Sequence, residues 1–338
     1  MDSFELSLVL SGGNALGADH LGACEVLLGA GWEPEWLVGA SIGAVTAAIL
    51  AGSKPSDRLD RLKSFWKLAE QADVAPMFTI PEPFRARYNN EHALAALIFG
   101  RPGLFGRRLP GELSLLPGMP SDRSIMDHRP MARTLDALID FDRLNHGDTR
   151  VSFVTIDLEA GEEVWFDNRE TRFTSEHLLA CTALAPLFPP VEIEGRLLCD
   201  AGLANNLPFD RVFRDTPTAN QLCIAVDLFS ASHVRPDSLD QTVAHVQDLA
   251  VAMQARRSAN GVSRARDLLR KHDPDSPSSI LAHLAYRPPG TQRALKALDF
   301  SARSLGERTQ QEAEDMGRML QRNREAPRDQ PFCYLGAE

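Results

Sequence analysis

Between Leu6 and Leu50 the hydrophobic positions of this chain switch period in a regular order. Leu6, Leu8, Val9 and Leu10 form a short apolar run that Ser11-Gly12-Gly13 ends. From Ala15 to Leu28 the spacing is helical, until Gly29 and Gly31 close it. Trp36 to Val38 predicts a second short strand, running through Gly39-Ala40-Ser41-Ile42-Gly43 into a helix from Ala44 to Leu50. Successive strand-helix units predict a parallel sheet with crossover helices. Ser56 opens a further helix with Leu59, Leu62, Phe65 and Trp66 on one stripe.

From Pro76 to Pro130 the pattern breaks down, leaving short helical pieces such as Ala93 to Phe99. This predicts a long insertion, either a surface excursion or a lid over an entrance. Regular structure then resumes with a helix from Met131 to about Leu144, strands at Val151–Leu158 and Val164–Phe166, and a helix Ser175–Leu184 stopped before Pro186. A hairpin follows from Val191 to Cys199, turning near Gly195, and a buried strand from Leu222 to Leu228. Beyond Leu239 the chain reads as mainly helical, ending in a helix from Ser301 to about Arg322. The expected division is a core of 1–215, carrying the proline-rich insertion at about 72–130, and a region 216–338 with the last core strands and a helical extension.

Composition narrows the partners. Acidic residues outnumber basic ones 46 to 36, a net charge of −10 that disfavours nucleic acid. The opening MDSFELSLVL has acids where a signal peptide needs Lys or Arg, so export by that route is not expected. The apolar stretch Leu37 to Ser53 falls short of the roughly 20 residues that cross a bilayer. Five widely spaced cysteines without a Cys/His cluster suggest buried, reduced thiols, no bound metal and a cytoplasmic protein.

Three loops could carry chemistry. Gly39-x-Ser41-x-Gly43, where a strand meets a helix, has the form of a nucleophile elbow. Ser11 to Gly17 also joins a strand to a helix, so its free amides can hold an anion. A dinucleotide fingerprint is disfavoured, because Asn14 replaces its second glycine and no acid follows the second strand. Asp200-Ala201-Gly202 ends the third candidate strand, and all three loops follow strand carboxyl ends, where open α/β sheets place ligands. His245 and His283 follow Asp200 and keep a Ser-His-Asp triad open, although His283 sits in an apolar run. His20 suits packing better than a role in the site.

Taken together, Ser11 to Gly17 with His20-Leu21-Gly22, Gly39 to Gly43, Ala185 to Val191, and Asp200-Ala201-Gly202 with Asn206 and Pro208 resemble the patatin-like phospholipases. The segment Asp299 to Ser304 is similar to a carboxy-terminal extension of some bacterial members. The resemblance implies a three-layer α/β/α sandwich with a mainly parallel sheet. It implies a cofactor-free serine hydrolase of carboxylic esters, with lipid acyl esters as the expected substrates. Its implied site has Ser41 as nucleophile, Asp200 as base, the amides of Gly12, Gly13 and Asn14 as oxyanion hole, and Gly17, Gly39, Gly43 and Gly202 as turn glycines. Asn14 stands where the family carries a third glycine, and Leu16 where many members carry Arg or Lys. A lipid- or acyl-chain-binding protein without turnover is the alternative. The basic stretch Arg256 to Lys271 is either a solvated helix face or a peripheral contact with anionic lipid.

Overall fold

The computed structural model describes residues 4–71, 82–232, 235–287, 293–326 and 330–336. In chain order the elements are β1 (Glu5–Leu10), α1 (Ala18–Gly29), β2 (Trp36–Ala40), α2 (Ile42–Ala51), α3 (Arg58–Ala69), α4 (Glu82–Phe99), β3 (Gly106–Arg107), β4 (Met126–Asp127), α5 (Pro130–Leu138), α6 (Phe141–His146), β5 (Arg150–Asp157) and β6 (Glu162–Asp167). They continue with α7 (Ser175–Cys181), β7 (Val191–Ile193), β8 (Arg196–Asp200), β9 (Gln221–Asp227), α8 (Leu239–His272), β10 (Ser279–Ala285), α9 (Ala302–Arg324) and β11 (Phe332–Gly336).

The main sheet runs β11-β10-β9-β1-β2-β5-β8-β7, with β6 also on β5. From β11 to β5 every pairing is parallel, and β6, β7 and β8 form the antiparallel end. Both faces are covered because successive side chains of a strand point to opposite sides. Leu8 and Leu10 of β1, with Leu222, Ile224 and Val226 of β9, enter the large core under α1, α2 and α9. Val9, Cys223 and Ala225 enter a second core closed by Phe209, Phe213 and the α8 residues Ala255 and Val262. The result is a mixed α/β fold of three layers with a largely parallel central sheet.

Three expectations change. Met131 to Leu144 is not one helix: α5 ends at Leu138, and Asp140 caps α6 by accepting from the Arg143 amide at 3.0 Å. The proline-rich insertion contains an 18-residue helix, α4, although 72–81 lies outside the described residues. The region after Leu239 adds strands β10 and β11 to the sheet besides its two long helices. All five cysteines are buried, and none is in a disulfide. Among the described residues no helix is long and apolar enough to cross a membrane, and no group of His, Cys, Asp or Glu could hold a metal ion.

Candidate active site

One edge of β5 brings the candidate residues together. Along it Ala40 of β2 pairs with Val154, and the next residue, Thr155, pairs with Asp200 of β8. β2 runs parallel to β5 and β8 antiparallel, so the two strands meet end to end. Ser41, one residue beyond Ala40, therefore faces the terminal Asp200 although 159 positions separate them in sequence.

Ser41 has φ 52° and ψ −126°, a left-handed conformation that costs a β-carbon residue about 1–3 kcal/mol and persists only when its surroundings enforce it. They do: a Cβ at Gly43 would stand 2.0 Å from the Leu10 carbonyl oxygen, so the first turn of α2 rests directly on the end of β1. Gly39 closes the other side of this elbow, against the backbone of Gly43 and Ala44. The Ser41 side chain acts on the Asp200 carboxylate as a donor that lowers its pKa. Asp200 is 2% exposed and accepts the Gly202 amide at 2.8 Å. Burial pushes its pKa up to about 6, against the smaller lowering by those two donors.

The glycine loop lies beside them. A Cβ at Gly12 would fall 2.8 Å from the Ser41 Cβ, so only glycine lets the loop approach. The Gly12 amide, however, donates to the Asn206 carbonyl at 3.1 Å, and Asn206 Nδ2 donates back to the Gly12 carbonyl at 3.2 Å. The Gly12 proton is thus engaged with Asn206 in this structure. The amides of Gly13 and Asn14 open a single 3-10 turn, Asn14–Gly17, and have no backbone acceptor among the described residues. Asn14 adopts φ 52°, accommodating the left-handed position where asparagine is tolerated best after glycine. Gly17 packs on Ile42 and Trp66.

Ser41, Asp200, Gly13 and Asn14 line one end of a cavity of ≈ 450 Å³. Its other walls are mostly apolar: Phe65 and Trp66 of α3, Leu104, Phe105 and Met131 from the insertion and α5, Phe188, and Phe229, Val251, Leu298 and Phe300 from the carboxy-terminal third. The Phe105 ring packs on Phe188 at 5.3 Å and on Phe300 at 5.9 Å, joining insertion to extension across the cavity.

The sequence matches the family model for patatin-like phospholipases over residues 8–213. The chain belongs to the patatin-like phospholipase family. At that level it is an ester-bond hydrolase acting on lipid substrates. Among solved structures, VipD from Legionella pneumophila is similar at 16% identity and a TM-score of 0.45, covering 95% of this chain and 68% of VipD. Full-length ExoU of Pseudomonas aeruginosa, in complex with SpcU, is similar at 17% identity and a TM-score of 0.38, covering 95% of this chain and 53% of ExoU. This patatin-like chain thus spans about half the length of ExoU, and no curated protein matches it.

His128 lines this cavity, with Nε2 2.9 Å from the Leu179 carbonyl oxygen, but the three histidines singled out from the sequence do not. His20 is fully buried between α1 and α2, with Nδ1 3.3 Å from Thr46 Oγ1, and burial lowers its pKa to about 3. His283 is bonded to Asp227 and Tyr334, in a separate cavity. His245 lies on α8.

Sequence reasoning missed the bracing. Arg308 of α9 is 2% exposed, and its guanidinium donates to the carbonyls of Ala15 at 3.1 Å, Asp299 at 2.9 Å and Lys296 at 3.0 Å. One buried cation thereby ties the 3-10 turn of the glycine loop to the 296–299 segment of the cavity wall. Asp19, wholly buried, has its pKa pushed up to about 8 by burial, with Arg308 the largest opposing charge. Gln254 of α8 braces the opposite side, accepting the Asn206 amide at 3.0 Å and donating to the Leu203 carbonyl at 3.2 Å. Single arginines in amphipathic helices carry no sequence signal for such roles.

Proposed function

We propose that this protein hydrolyses carboxylic acyl esters of lipids through a Ser41–Asp200 dyad and an acyl-enzyme. The observation that supports this reading most directly is the meeting of a strained serine and a buried carboxylate in the lining of one largely apolar cavity. A serine hydroxyl is a weak nucleophile unless a base takes its proton, and burial raises the carboxylate's proton affinity toward the range useful at neutral pH. Asp200 accepts the Ser41 proton as Oγ attacks the ester carbonyl. The amides of Gly13 and Asn14 receive the developing oxyanion, a type of interaction worth about 3 kcal/mol per donor. The leaving alkoxide takes the proton back from Asp200. A water, deprotonated by the same carboxylate, then attacks the acyl-enzyme, and Asp200 returns that proton to Ser41 Oγ as the acid is released. The ≈ 450 Å³ apolar cavity takes the acyl chain.

Contact with a lipid surface is assigned to the insertion rather than to the basic stretch. Arg266 in that stretch is 5% exposed and donates inward to the Phe213 and Asp215 carbonyls and to Gln221. The insertion, by contrast, exposes Phe99 at 76%, Leu109 at 77% and Leu115 at 87%, flanking in sequence the cavity residues Leu104 and Phe105. Large apolar side chains exposed to this degree suit contact with a lipid surface.

The deciding experiment compares p-nitrophenyl ester turnover by the native chain, Ser41→Ala and His283→Ala. Loss of at least 10³-fold in Ser41→Ala alone, with a fluorophosphonate label on Ser41, is expected. Equal turnover by native and Ser41→Ala protein refutes an enzyme acting through Ser41.

A further inference from the structure

A second cavity of ≈ 440 Å³ opens at the carboxyl ends of β9, β10 and β11, close in volume to the acyl cavity but far more polar in character. Among its lining residues is Asp227, the last residue of β9 and 2% exposed. Asp227 Oδ1 accepts the Phe229 amide at 3.1 Å, and Oδ2 lies 3.1 Å from His283 Nε2. His283 Nδ1 lies 2.7 Å from the Tyr334 hydroxyl on β11. A buried carboxylate, an imidazole and a phenol are thus chained from the sheet interior to the cavity wall. An apolar ladder would close this end of the sheet without desolvating a charge, so packing alone does not call for the chain.

The chemistry of the wall follows from this order. The carboxylate accepts, so Nε2 carries the proton. In the tautomer assigned here Nδ1 is the lone pair and accepts from Tyr334. With its only proton spent inward, the Tyr334 oxygen, which also lines the cavity, presents lone pairs to whatever enters. The opposite wall is a stripe of α8 in which small residues surround Arg256 and Asn260, one turn apart. The guanidinium supplies charge and a planar fork of donors suited to a phosphate or carboxylate.

We propose that this cavity binds a small hydroxylated anion, a polyol phosphate or hydroxycarboxylate, with the anionic group on Arg256 and a hydroxyl donating to Tyr334. Phe229 lines both this cavity and the acyl cavity, and α8 contributes Val251 to one and Ala252 to the other. The two therefore share a wall, and an occupant here touches the residues that shape the acyl site.

Isothermal titration calorimetry of the full chain with glycerol 3-phosphate, glycerate, inorganic phosphate and glycerol tests the assignment. Glycerol 3-phosphate is expected to bind at least fivefold more tightly than inorganic phosphate, and glycerol not at all. The glycerate arm distinguishes the two anion types, and binding of either hydroxylated anion supports the class. Arg256→Gln, at an exposed position, should weaken binding at least tenfold. Tyr334→Phe should leave phosphate binding intact and erase the preference for the hydroxylated ligand. Absence of heat with every probe at 10 mM overturns the proposal, as does binding that neither substitution alters. A preference for the hydroxylated anion that survives in Tyr334→Phe overturns the assigned orientation.

Discussion

Replacing Asp200 by asparagine is expected to stabilise the protein while abolishing its chemistry. In the folded chain the Asp200 pKa rises from 3.8 to about 6, chiefly because burial disfavours the charged form. At about 1.36 kcal/mol per pH unit, that rise corresponds to about 3 kcal/mol of native-state cost when the carboxylate is ionised. The sign follows from proton linkage. Between pH 3.8 and about 6 the native state holds this proton more firmly than the unfolded chain, so stability falls as pH rises through that window and stays lower above it. Asparagine is never charged and escapes the cost. With an unfolding entropy of about 2.1 cal/mol/K per residue over 338 residues, about 3 kcal/mol corresponds to an upper limit of about 4 °C in melting temperature. Differential scanning calorimetry of both proteins from pH 3.5 to 8 should show the variant melting higher above pH 6, with the difference vanishing toward pH 3.5. Ester turnover by the variant should drop at least 10³-fold, and native kcat/KM should rise with pH through about 6, as the base ionises. A variant that melts below the native protein at pH 8, or whose advantage is the same at every pH, refutes the account of Asp200 as a buried carboxylate kept at a cost in stability.

Other perturbations test the frame around the dyad. Arg308→Met removes three hydrogen bonds from one buried cation and should destabilise the chain by about 3 kcal/mol or more. Because one of the freed carbonyls is that of Ala15, kcat should fall more than KM changes, read from saturation kinetics below the variant's melting temperature. Leu298→Trp fills the acyl cavity from its carboxy-terminal wall; it should cut kcat/KM for long-chain p-nitrophenyl esters at least tenfold and for the acetate ester less than threefold. Leu115→Asp combined with Leu109→Asp places charges on the exposed insertion and should reduce sedimentation with phosphatidylcholine vesicles while leaving turnover of a soluble short ester unchanged.

What could be read from the sequence is what backbone geometry forces on residue type. Gly43 admits no side chain because Leu10 O stands in its place, and Ser41 must turn through a left-handed conformation where β2 becomes α2, so the elbow is written in glycines. The engagement of the Gly12 amide could not be read in the same way. That amide is taken by the carbonyl of Asn206, and nothing within the glycine loop shows that partner. Helix α4 gives little sequence signal because the proline-rich stretch around it reads as irregular, although its Pro83 lies in the first turn, where no amide is needed. Ser279–Ala285 was invisible for another reason: Ile280-Leu281-Ala282-His283-Leu284-Ala285 is apolar on both faces, as a parallel strand covered on both sides must be, and so has no period to recognise.

That strand changes how the carboxy-terminal third relates to the site. β9 pairs with β1 over Glu5 to Leu10, fixing the strand from which the glycine loop departs, and Ser11 Oγ accepts the Leu228 amide at 2.9 Å where both strands end. β10 and β11 extend the same sheet, α9 supplies Arg308 to the glycine loop, and the 296–300 segment closes the acyl cavity. The family match ends at residue 213, before any of these parts. A hydrolase built only from the matched region would keep its serine and aspartate but lose the strand beside β1, the buried cation on the Ala15 carbonyl and one wall of its apolar cavity. Under the proposed function, substrate selectivity therefore draws on residues outside the matched region as much as on the loops of Ser41 and Asp200.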